Sequence, residues 1–317
     1  MPQHENKAKP EVTSPITGEV QRRWAPESGW AERLSKLGFG RIEFVESTGS
    51  TNADMLKLPF EAPVSPPALR WAGYQEAGRG RRGRRWVGRP GAALTFSVAI
   101  ERLIEPSASP SQMISPAAFS LVAGLVVAQA IESAPFISRA RLRARPPQLK
   151  WPNDVLLGGA KVAGILVEVS RHQSVQRLVV GCGLNLVSPD PQQLIDGPAR
   201  ALSPVGLLDA GGQPDECTSA QAADLVCDIA ARLQKAHEVF FRDGLDPFRA
   251  DWLRRHAFHK QAIQLSDADK TLAEGVCTGI ASDGAILIRL PDGERAFALG
   301  ELSARPVAFP FSDESAQ

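Results

Sequence analysis

Apolar residues along this chain of 317 residues change their spacing several times, and each spacing predicts a type of element. Short apolar or β-branched runs, typical of strands, occur at 42–45, 68–74, 94–100, 149–151, 155–157, 165–170 and 178–181. Apolar residues three or four positions apart, which predict helices, cover 27–37, 116–132, 219–241 and 248–258. Ser50, Thr51 and Asn52 would cap a further short helix that runs through Leu58. Strands and helices therefore alternate as in an α+β domain.

The character of the sequence changes at its two ends. From residue 262 to residue 307 only short strand-like runs and turn dipeptides such as Asp283-Gly284 occur, which predicts a small β-barrel. Residues 1–22 are polar and contain prolines, so we expect them to be disordered. We predict three regions: a leader at 1–40 with one short helix, a main domain at 41–258, and a C-terminal barrel at 259–317.

Composition restricts the class of protein. Lys and Arg number 36 against 35 Asp and Glu, whereas non-specific nucleic-acid binders usually carry a basic surplus. The four cysteines are scattered without metal-ligand spacing, which is typical of a reducing compartment. The N-terminus has no apolar signal segment, and no apolar stretch is long enough to span a bilayer. We expect a soluble, cytoplasmic protein.

The most distinctive segment is GRGRRGRR at 78–85, which is followed by Trp86. Glycines let the backbone approach a ligand closely, and guanidinium groups supply charge and paired donors for phosphate or carboxylate oxygens. The segment, called the arginine loop below, predicts an anion-binding site. Taken alone, it is equally typical of a solvated or RNA-binding basic run.

Three other segments carry candidate chemistry. They are KWPND at 150–154, Lys161 ahead of the apolar strand at 164–168, and GCGLN, which follows a strand, at 181–185. Each also has a plain structural interpretation, because Trp151-Pro152 suits core packing and an isolated lysine is usually solvated. GCGLN lacks the third glycine of a dinucleotide fingerprint, and the sequence has no Walker A, nucleophile-elbow or HExxH motif.

Together and in this order, the segments resemble biotin protein ligases, also called biotin–[acetyl-CoA-carboxylase] ligases, from about residue 41 to residue 306. The matching segments are STN at 50–52, YQEAGRGRRGRRW at 74–86, KWPND at 150–154, KVAGILVE at 161–168 and GCGLN at 181–185. The resemblance implies an α+β fold with a mixed central β-sheet and helices, of the class II synthetase-like type, followed by a small SH3-like β-barrel. It implies activation of biotin with ATP to biotinyl-5′-AMP and pyrophosphate, then transfer of biotin to a carrier-protein lysine.

The resemblance also implies roles for individual residues. The implied catalytic residues are Lys161, Arg79 and Asp154. Those implied to bind biotin are Ser50, Thr51, Asn52, Gln75, Gly78, Arg79, Arg81, Lys161 and Gly164. Those implied to bind ATP or the adenylate are Arg81, Arg82, Arg84, Trp86, Lys150, Asn153 and Asn185. The resemblance also implies Mg²⁺ as the metal but does not identify its protein ligands. Asp154 could support Mg²⁺, orient Lys161 or cap a turn.

The implied partner is the biotin carboxyl carrier protein of acetyl-CoA carboxylase. We expect no binding to specific DNA, because the leader offers one short helix at most, and no membrane association. The sequence does not decide whether the protein forms a homodimer, although an exposed edge of the central sheet could pair two chains. We expect the arginine-rich insertion at 139–147 to be a solvated surface loop. A lipoate–protein ligase or lipoyl transferase of the same fold is the nearest alternative function, and an RNA-binding module is a remote one.

Overall fold

A computed structural model describes residues 23–61, 64–104, 115–189, 202–211, 217–267, 270–299 and 302–307. The leader expected to be disordered, at 1–22, lies outside these ranges. Within them the chain forms a seven-stranded sheet and a five-stranded sheet. This mixed α/β architecture with a second, antiparallel sheet confirms the predicted fold class.

The larger sheet is mixed. Its strands are β1 (Arg41–Thr48), β2 (Ala68–Gln75), β3 (Ala93–Leu103), β4 (Pro147–Lys150), β5 (Asp154–Leu157), β6 (Ala160–His172) and β7 (Val175–Asn185). Their order is β1-β2-β3-β7-β6-β5-β4. Only β1 and β2 pair in parallel, and every other neighbouring pair in this sheet is antiparallel. The central strands β3 and β7 are buried over most of their length, as expected for strands in the middle of a covered sheet.

Two strands are longer than their apolar runs predict, and this corrects two expectations. β6 and β7 pair continuously from Ala163–Leu184 to His172–Val175. Lys161 therefore lies within β6 instead of ahead of it, and the GCGLN segment forms the end of β7 instead of following it. Lysine, glycine and asparagine are uncommon in strands, so the sequence pattern did not predict that the strands extend this far.

Helices cover the sheet. They are α1 (Trp30–Lys36), α2 (Thr51–Leu56), α3 (Phe119–Ser133), α4 (Arg139–Ala144), α5 (Leu207–Gly211), α6 (Ser219–Asp243) and α7 (Asp246–Arg255). The chain also makes 3₁₀ turns at Arg81–Gly83 and Pro116–Ala118. The apolar helix α3 packs between α6 and the sheet, which explains why almost all of its residues are buried. The start of α6 is fixed by a capping box between Thr218 and Gln221.

The insertion at 139–147 is ordered, so the prediction of a surface loop is wrong for most of it. Residues 139–144 form α4, whose Leu142 is buried and anchors the helix, while its arginines are exposed. Pro147 then begins β4. Arginine, alanine and leucine have high helix propensity, which indicates a helix here. The two prolines that follow led to the prediction of a loop instead.

The second sheet contains β8 (Ala262–Asp267), β9 (Lys270–Ile280), β10 (Ile286–Leu290), β11 (Gly293–Phe297) and β12 (Leu302–Pro306). Its order is β11-β10-β9-β8-β12, and all pairs are antiparallel, as an SH3-like domain requires. Gly284 and Gly293 occupy the predicted turns with φ of 87° and 130°, which side chains disfavour. Trp151 Nε1 donates to Gly284 O at 3.0 Å and joins the two sheets. None of the helices in the described ranges is long and apolar enough to cross a membrane.

Candidate active site

A cavity of about 600 Å³ lies between the arginine loop and the ends of β2, β5, β6 and β7. The first turn of α2 forms one side of it, and Leu302 and Ser303 of the second sheet contribute to another. Every residue predicted to bind biotin or ATP lines this cavity except Gly78. Gly78 is the first residue of the loop, and its carbonyl accepts a hydrogen bond from Trp86 N at 2.9 Å. A Cβ at Gly78 would lie 2.7 Å from Trp86 O, so the loop needs glycine there.

Two lysines converge on one carboxylate in the cavity wall. Lys150 Nζ lies 3.1 Å from Asp154 Oδ2, and Lys161 Nζ lies 2.6 Å from Asp154 Oδ1. Burial alone would raise the pKa of the Asp154 carboxyl, but the ammonium groups of Lys161 and Lys150 together outweigh it and hold that pKa well below its usual range. Asp154 is therefore ionised and holds Lys161, which agrees with an orienting role. The cluster carries a surplus of one positive charge.

The first turn of α2 is tied to three strands. Ser50 Oγ caps the helix by accepting from Ala53 N, and Gln75 Oε1 accepts from Thr51 N at 2.8 Å. Asn52 Nδ2 donates to Glu168 Oε2 at 2.9 Å, and Ser97 Oγ lies 2.6 Å from Asn52 Oδ1. Both ends of the Asn52 amide are thus engaged by the protein, so Asn52 fixes the turn in place.

The arginine loop has a defined structure of its own. Arg79 and Arg85 form a β-bridge, and Gly80 N donates to Arg84 O at 2.7 Å. Three side chains reach out of the loop: Arg79 pairs with Glu168, Arg81 Nη1 lies 3.3 Å from Asn153 Oδ1, and Arg82 Nη2 lies 3.0 Å from Asp267 Oδ1. The loop is therefore held over the cavity by β6, the β4–β5 turn and β8.

The geometry limits the chemistry. Burial raises the pKa of Cys182, the thiol in the cavity lining, to about 12, so it stays protonated and is a poor nucleophile. The described residues contain no group of three or more His, Cys, Asp or Glu that could hold a metal ion. Asp154, the carboxylate proposed for Mg²⁺, has both oxygens occupied by lysines. What the cavity offers is positive charge for an anion.

Comparison with known proteins decides the family. The chain is 35% identical to a biotin–[acetyl-CoA-carboxylase] ligase of Paracoccus denitrificans over 258 residues, which cover 80% of this chain and 97% of that protein. It is 30% identical to the bifunctional ligase/repressor BirA of Escherichia coli over 86% of this chain and 76% of that protein. Residues 43–185 also match the model of the biotin/lipoate A/B protein ligase family. The chain belongs to this family.

The fold agrees with known members of the biotin/lipoate A/B protein ligase family. A biotin protein ligase from Aquifex aeolicus, solved in complex with biotin and ATP, superposes with a TM-score of 0.63 at 21% identity. The matched part covers 85% of this chain and 100% of that one. The resemblance to biotin protein ligases inferred from the sequence motifs is confirmed. All the motif segments from STN to GCGLN lie within the residues that the family model matches.

For a member of this ligase family, the place of Trp86 is informative. Its indole lies on the backbone of two strands: a Cβ at Gly183 would lie 2.5 Å from the ring, and one at Gly164 would lie 3.2 Å from it. Lys161 Nζ is 5.8 Å from the ring centroid. Trp86 Nε1 is buried and has no hydrogen-bond partner among the described residues. Both glycines therefore make room for Trp86, and a buried donor is left inside the cavity.

Sequence reasoning missed four residues of this ligase site. Glu168, at the end of a matching segment, pairs with Arg79 and accepts from Asn52. Ser97, between two apolar residues of β3, contacts Thr51 and Asn52. A single polar residue inside an apolar strand was the available signal for Ser97. Leu302 and Ser303 line the cavity from the second sheet, and nothing in their local sequence indicates it.

Proposed function

We propose that this protein is a biotin protein ligase that forms biotinyl-5′-AMP from biotin and ATP and then biotinylates a lysine of a carrier protein. The observation that carries the proposal is the cluster of Lys161, Asp154 and Lys150, which shares one cavity with the arginine loop. Relatives named biotin–[acetyl-CoA-carboxylase] ligase support the choice of substrate. The steps below assign roles to the residues of this site.

In the first step a biotin carboxylate oxygen attacks the α-phosphorus of ATP. The bond between the α-phosphorus and the oxygen that bridges it to the β-phosphorus breaks. Both reactants are anions, so their approach needs positive charge between them. Lys161 supplies it, oriented by Asp154, and Lys150 adds a second ammonium group to the same wall. Pyrophosphate leaves, and biotin is joined to AMP as a mixed anhydride.

In the second step the neutral ε-amine of the carrier lysine attacks the carbonyl carbon of the anhydride. AMP leaves as the amide forms, and the amine loses its proton. We assign Arg79 to hold the adenylate until then, because a guanidinium paired with Glu168 at the rim can exchange that carboxylate for a phosphate. The arginine loop over the cavity would keep out water, which competes with the lysine for the anhydride.

Biotin has an apolar body and a polar ureido head. We place that head at the first turn of α2, where Ser50, Thr51 and Gln75 offer hydroxyl and amide groups to a cavity also lined by Phe96 and Ile165. The adenylate then extends toward Asn153 in the β4–β5 turn and Asn185 at the end of β7. Trp86, with its buried indole N–H, lies between the two ends.

Mg²⁺ does not fit a preformed protein site among these residues, since Asp154 is occupied and the described part of the chain offers no carboxylate cluster. We expect the ion to arrive on the triphosphate oxygens, because Mg²⁺ in proteins usually keeps several waters and is held largely through substrate phosphates. No residue of this chain is assigned to it. We also propose the biotin carboxyl carrier protein as acceptor and the cytoplasm as the place of action.

The decisive experiment is exchange of labelled pyrophosphate into ATP, which reports the first step without a carrier. Exchange should require biotin, and lipoate should not replace it. Lys161→Ala should slow exchange by about 10²-fold or more, because it removes charge from the transition state. Lys36→Ala, which removes an exposed lysine of α1, is the matched control and should behave as wild type.

Two outcomes would overturn the proposal in different ways. Exchange that depends on lipoate and not on biotin would make the protein a lipoate ligase of the same fold. Exchange in Lys161→Ala within a few-fold of wild type, with the same melting temperature, would remove Lys161 from the mechanism.

A further inference from the structure

The arginine-rich insertion forms an exposed basic surface. Four exposed arginines surround the buried anchor Leu142. Arg139, Arg141 and Arg143 lie on α4, and Arg145 directly follows it. We call these four side chains the arginine face. The chain has no acidic residue between positions 133 and 153, so the sequence places no counter-charge nearby.

In the described part of the chain, two carboxylates near this helix make contacts with other groups. Glu132, seven residues before Arg139, forms an ion pair with Arg255 at 2.7 Å. Asp209, on the neighbouring helix α5, accepts from Ser188 N at 2.5 Å. Arg139 Nη1 donates to Glu132 O near the end of α3. Within the described residues, the side chains of Arg143 and Arg145 make no hydrogen bond or ion pair. Arg143 and Arg145 therefore give the arginine face a local excess of positive charge.

Fold stability does not account for the charges of Arg143 and Arg145. Arg139 and Arg143, and likewise Arg141 and Arg145, are four positions apart, where like charges repel on a helix surface and weaken it by a few tenths of a kcal/mol. Lysine or glutamine would solvate the same face. Arginine adds forked donors that suit carboxylates or phosphates, which points to a ligand.

The arginine face flanks the wall that carries Lys161. α4 contacts α5, and the segment leading into α5 pairs with Lys161 through Ser203 O and Val205 N, both at 2.9 Å. On the other side, a Cβ at Gly158 would lie 3.1 Å from Arg145 Cδ. Gly158 is three residues before Lys161 on the β5–β6 hairpin, so their Cα atoms are at most about 10 Å apart.

We propose that the arginine face is a docking surface for an acidic face of the carrier protein, next to the carrier's acceptor lysine. This inference rests on the proposed ligase function and names the chemistry of its partner. Six helical residues span about 9 Å, which suits a few carboxylates of a folded protein. Transfer needs a short-lived complex, and opposite charges raise the association rate of such complexes more than their lifetime.

A protein partner is favoured over nucleic acid by the charge of the whole chain. The formal net charge is +1, so long-range attraction to a polyanion is weak, whereas a small basic face can still steer a protein of complementary charge. The position beside Lys161 agrees, because the carrier must bring its lysine there and a nucleic acid need not.

The test compares the double variant Arg143→Glu/Arg145→Glu with wild type in both steps. Among the described residues these two side chains have no hydrogen-bond or ion-pair partner to lose, so the fold should hold. With purified biotin carboxyl carrier protein, the KM for the carrier should rise at least about tenfold. The kcat, and biotin-dependent pyrophosphate exchange, should stay within about twofold. Arg295→Glu, which reverses an exposed arginine of β11, is the control and should leave the carrier KM unchanged.

Ionic strength and a competitor complete the design. Carrier KM should rise with salt in wild type and much less in the double variant, because screening acts on the attraction that the variant has lost. An unchanged carrier KM in the double variant would overturn the inference. The same holds if wild type binds a single-stranded oligonucleotide, the variant does not, and the carrier KM is the same in both. Loss of biotin-dependent exchange in wild type would instead overturn the proposed ligase function.

Discussion

Arg177 and Glu101 form a buried ion pair that fixes the far end of the helix α2. The Arg177 side chain is only 2% exposed. Its Nε donates to Glu101 Oε1 at 2.9 Å, and its Nη1 and Nη2 donate to Leu58 O and Pro59 O at 2.6 and 2.7 Å. A helix of six residues is not stable alone. The pair therefore holds the element whose first turn, at Ser50, lines the cavity.

Replacing Glu101 with Gln should be costly. It leaves the Arg177 charge buried without a counter-ion, and breaking such pairs typically lowers the free energy of unfolding by about 3–5 kcal/mol. Urea denaturation followed by circular dichroism measures the change. Asp292→Asn removes the partner of Arg295 in an exposed pair and should change stability little. Equal losses in both variants would contradict this argument.

The residues that line the cavity were largely predictable, and their hydrogen-bond and ion-pair partners were not. Lys161, Arg79 and Asp154 belong to segments whose residue types are unusual enough to be identified locally. The partners Glu168 and Ser97 are set by strand register, which pairs residues far apart in sequence. No local pattern in a single sequence encodes that register.

At the level of elements, the packing of α6 on α3 encloses a histidine. His237 is buried, and its ring meets Phe241 at 4.7 Å and Phe119 at 6.1 Å between centroids. Burial, with a smaller contribution from Arg102, lowers the pKa of His237 to about 4. The histidine is therefore neutral in the folded protein at neutral pH.

The buried histidine should make stability depend on pH. Below its ordinary pKa near 6.5 the unfolded chain takes up a proton that the folded protein refuses, so stability falls as pH drops from about 6.5 to about 4 and then levels off. His237→Leu removes this proton uptake. The loss of stability between about pH 7.5 and about pH 5 should be smaller in the variant than in wild type, measured by urea unfolding. Parallel losses would show that His237 does not contribute.

Elements differed in how far the sequence could predict them. The helix α6 was predicted within two residues at its C-terminal end and correctly at Ser219, because its capping residue and its apolar periodicity agree. The ends of β6 and β7 were not predicted, because they contain Gly164, Gly181 and Gly183, and glycine is uncommon in strands. Here each glycine makes room for another group. Asn52 Oδ1 lies 2.2 Å from the position of a Cβ at Gly181, and Trp86 lies against the other two.

At the level of the whole molecule, the second sheet completes the site. Asp267 at the end of β8 pairs with Arg82 of the arginine loop at 3.0 Å, and Leu302 and Ser303 line the cavity. Arg82 has a positive φ of 61°, which costs energy for a residue with a side chain. The pair with Asp267 is one of the contacts that offset this cost.

Losing Asp267 should therefore loosen the loop. In Asp267→Asn, trypsin should cleave between residues 79 and 85 several-fold faster than in wild type, since cleavage follows the open population of a segment. Mass spectrometry of the fragments locates the cuts. Asp292→Asn, in the same sheet and away from the loop, is the control. Unchanged loop cleavage in Asp267→Asn would mean that β8 does not restrain the loop.

The position of Trp86 gives the protein an optical signal of its own. The chain has six tryptophans, and the other five, Trp24, Trp30, Trp71, Trp151 and Trp252, are at most 8% exposed and lie in the core. Only the indole of Trp86 lines the cavity, where it lies against Gly183 and 5.8 Å from the Lys161 ammonium. Any molecule that enters must change the surroundings of this ring. Its emission should therefore report occupancy without a label, against a constant background from the core.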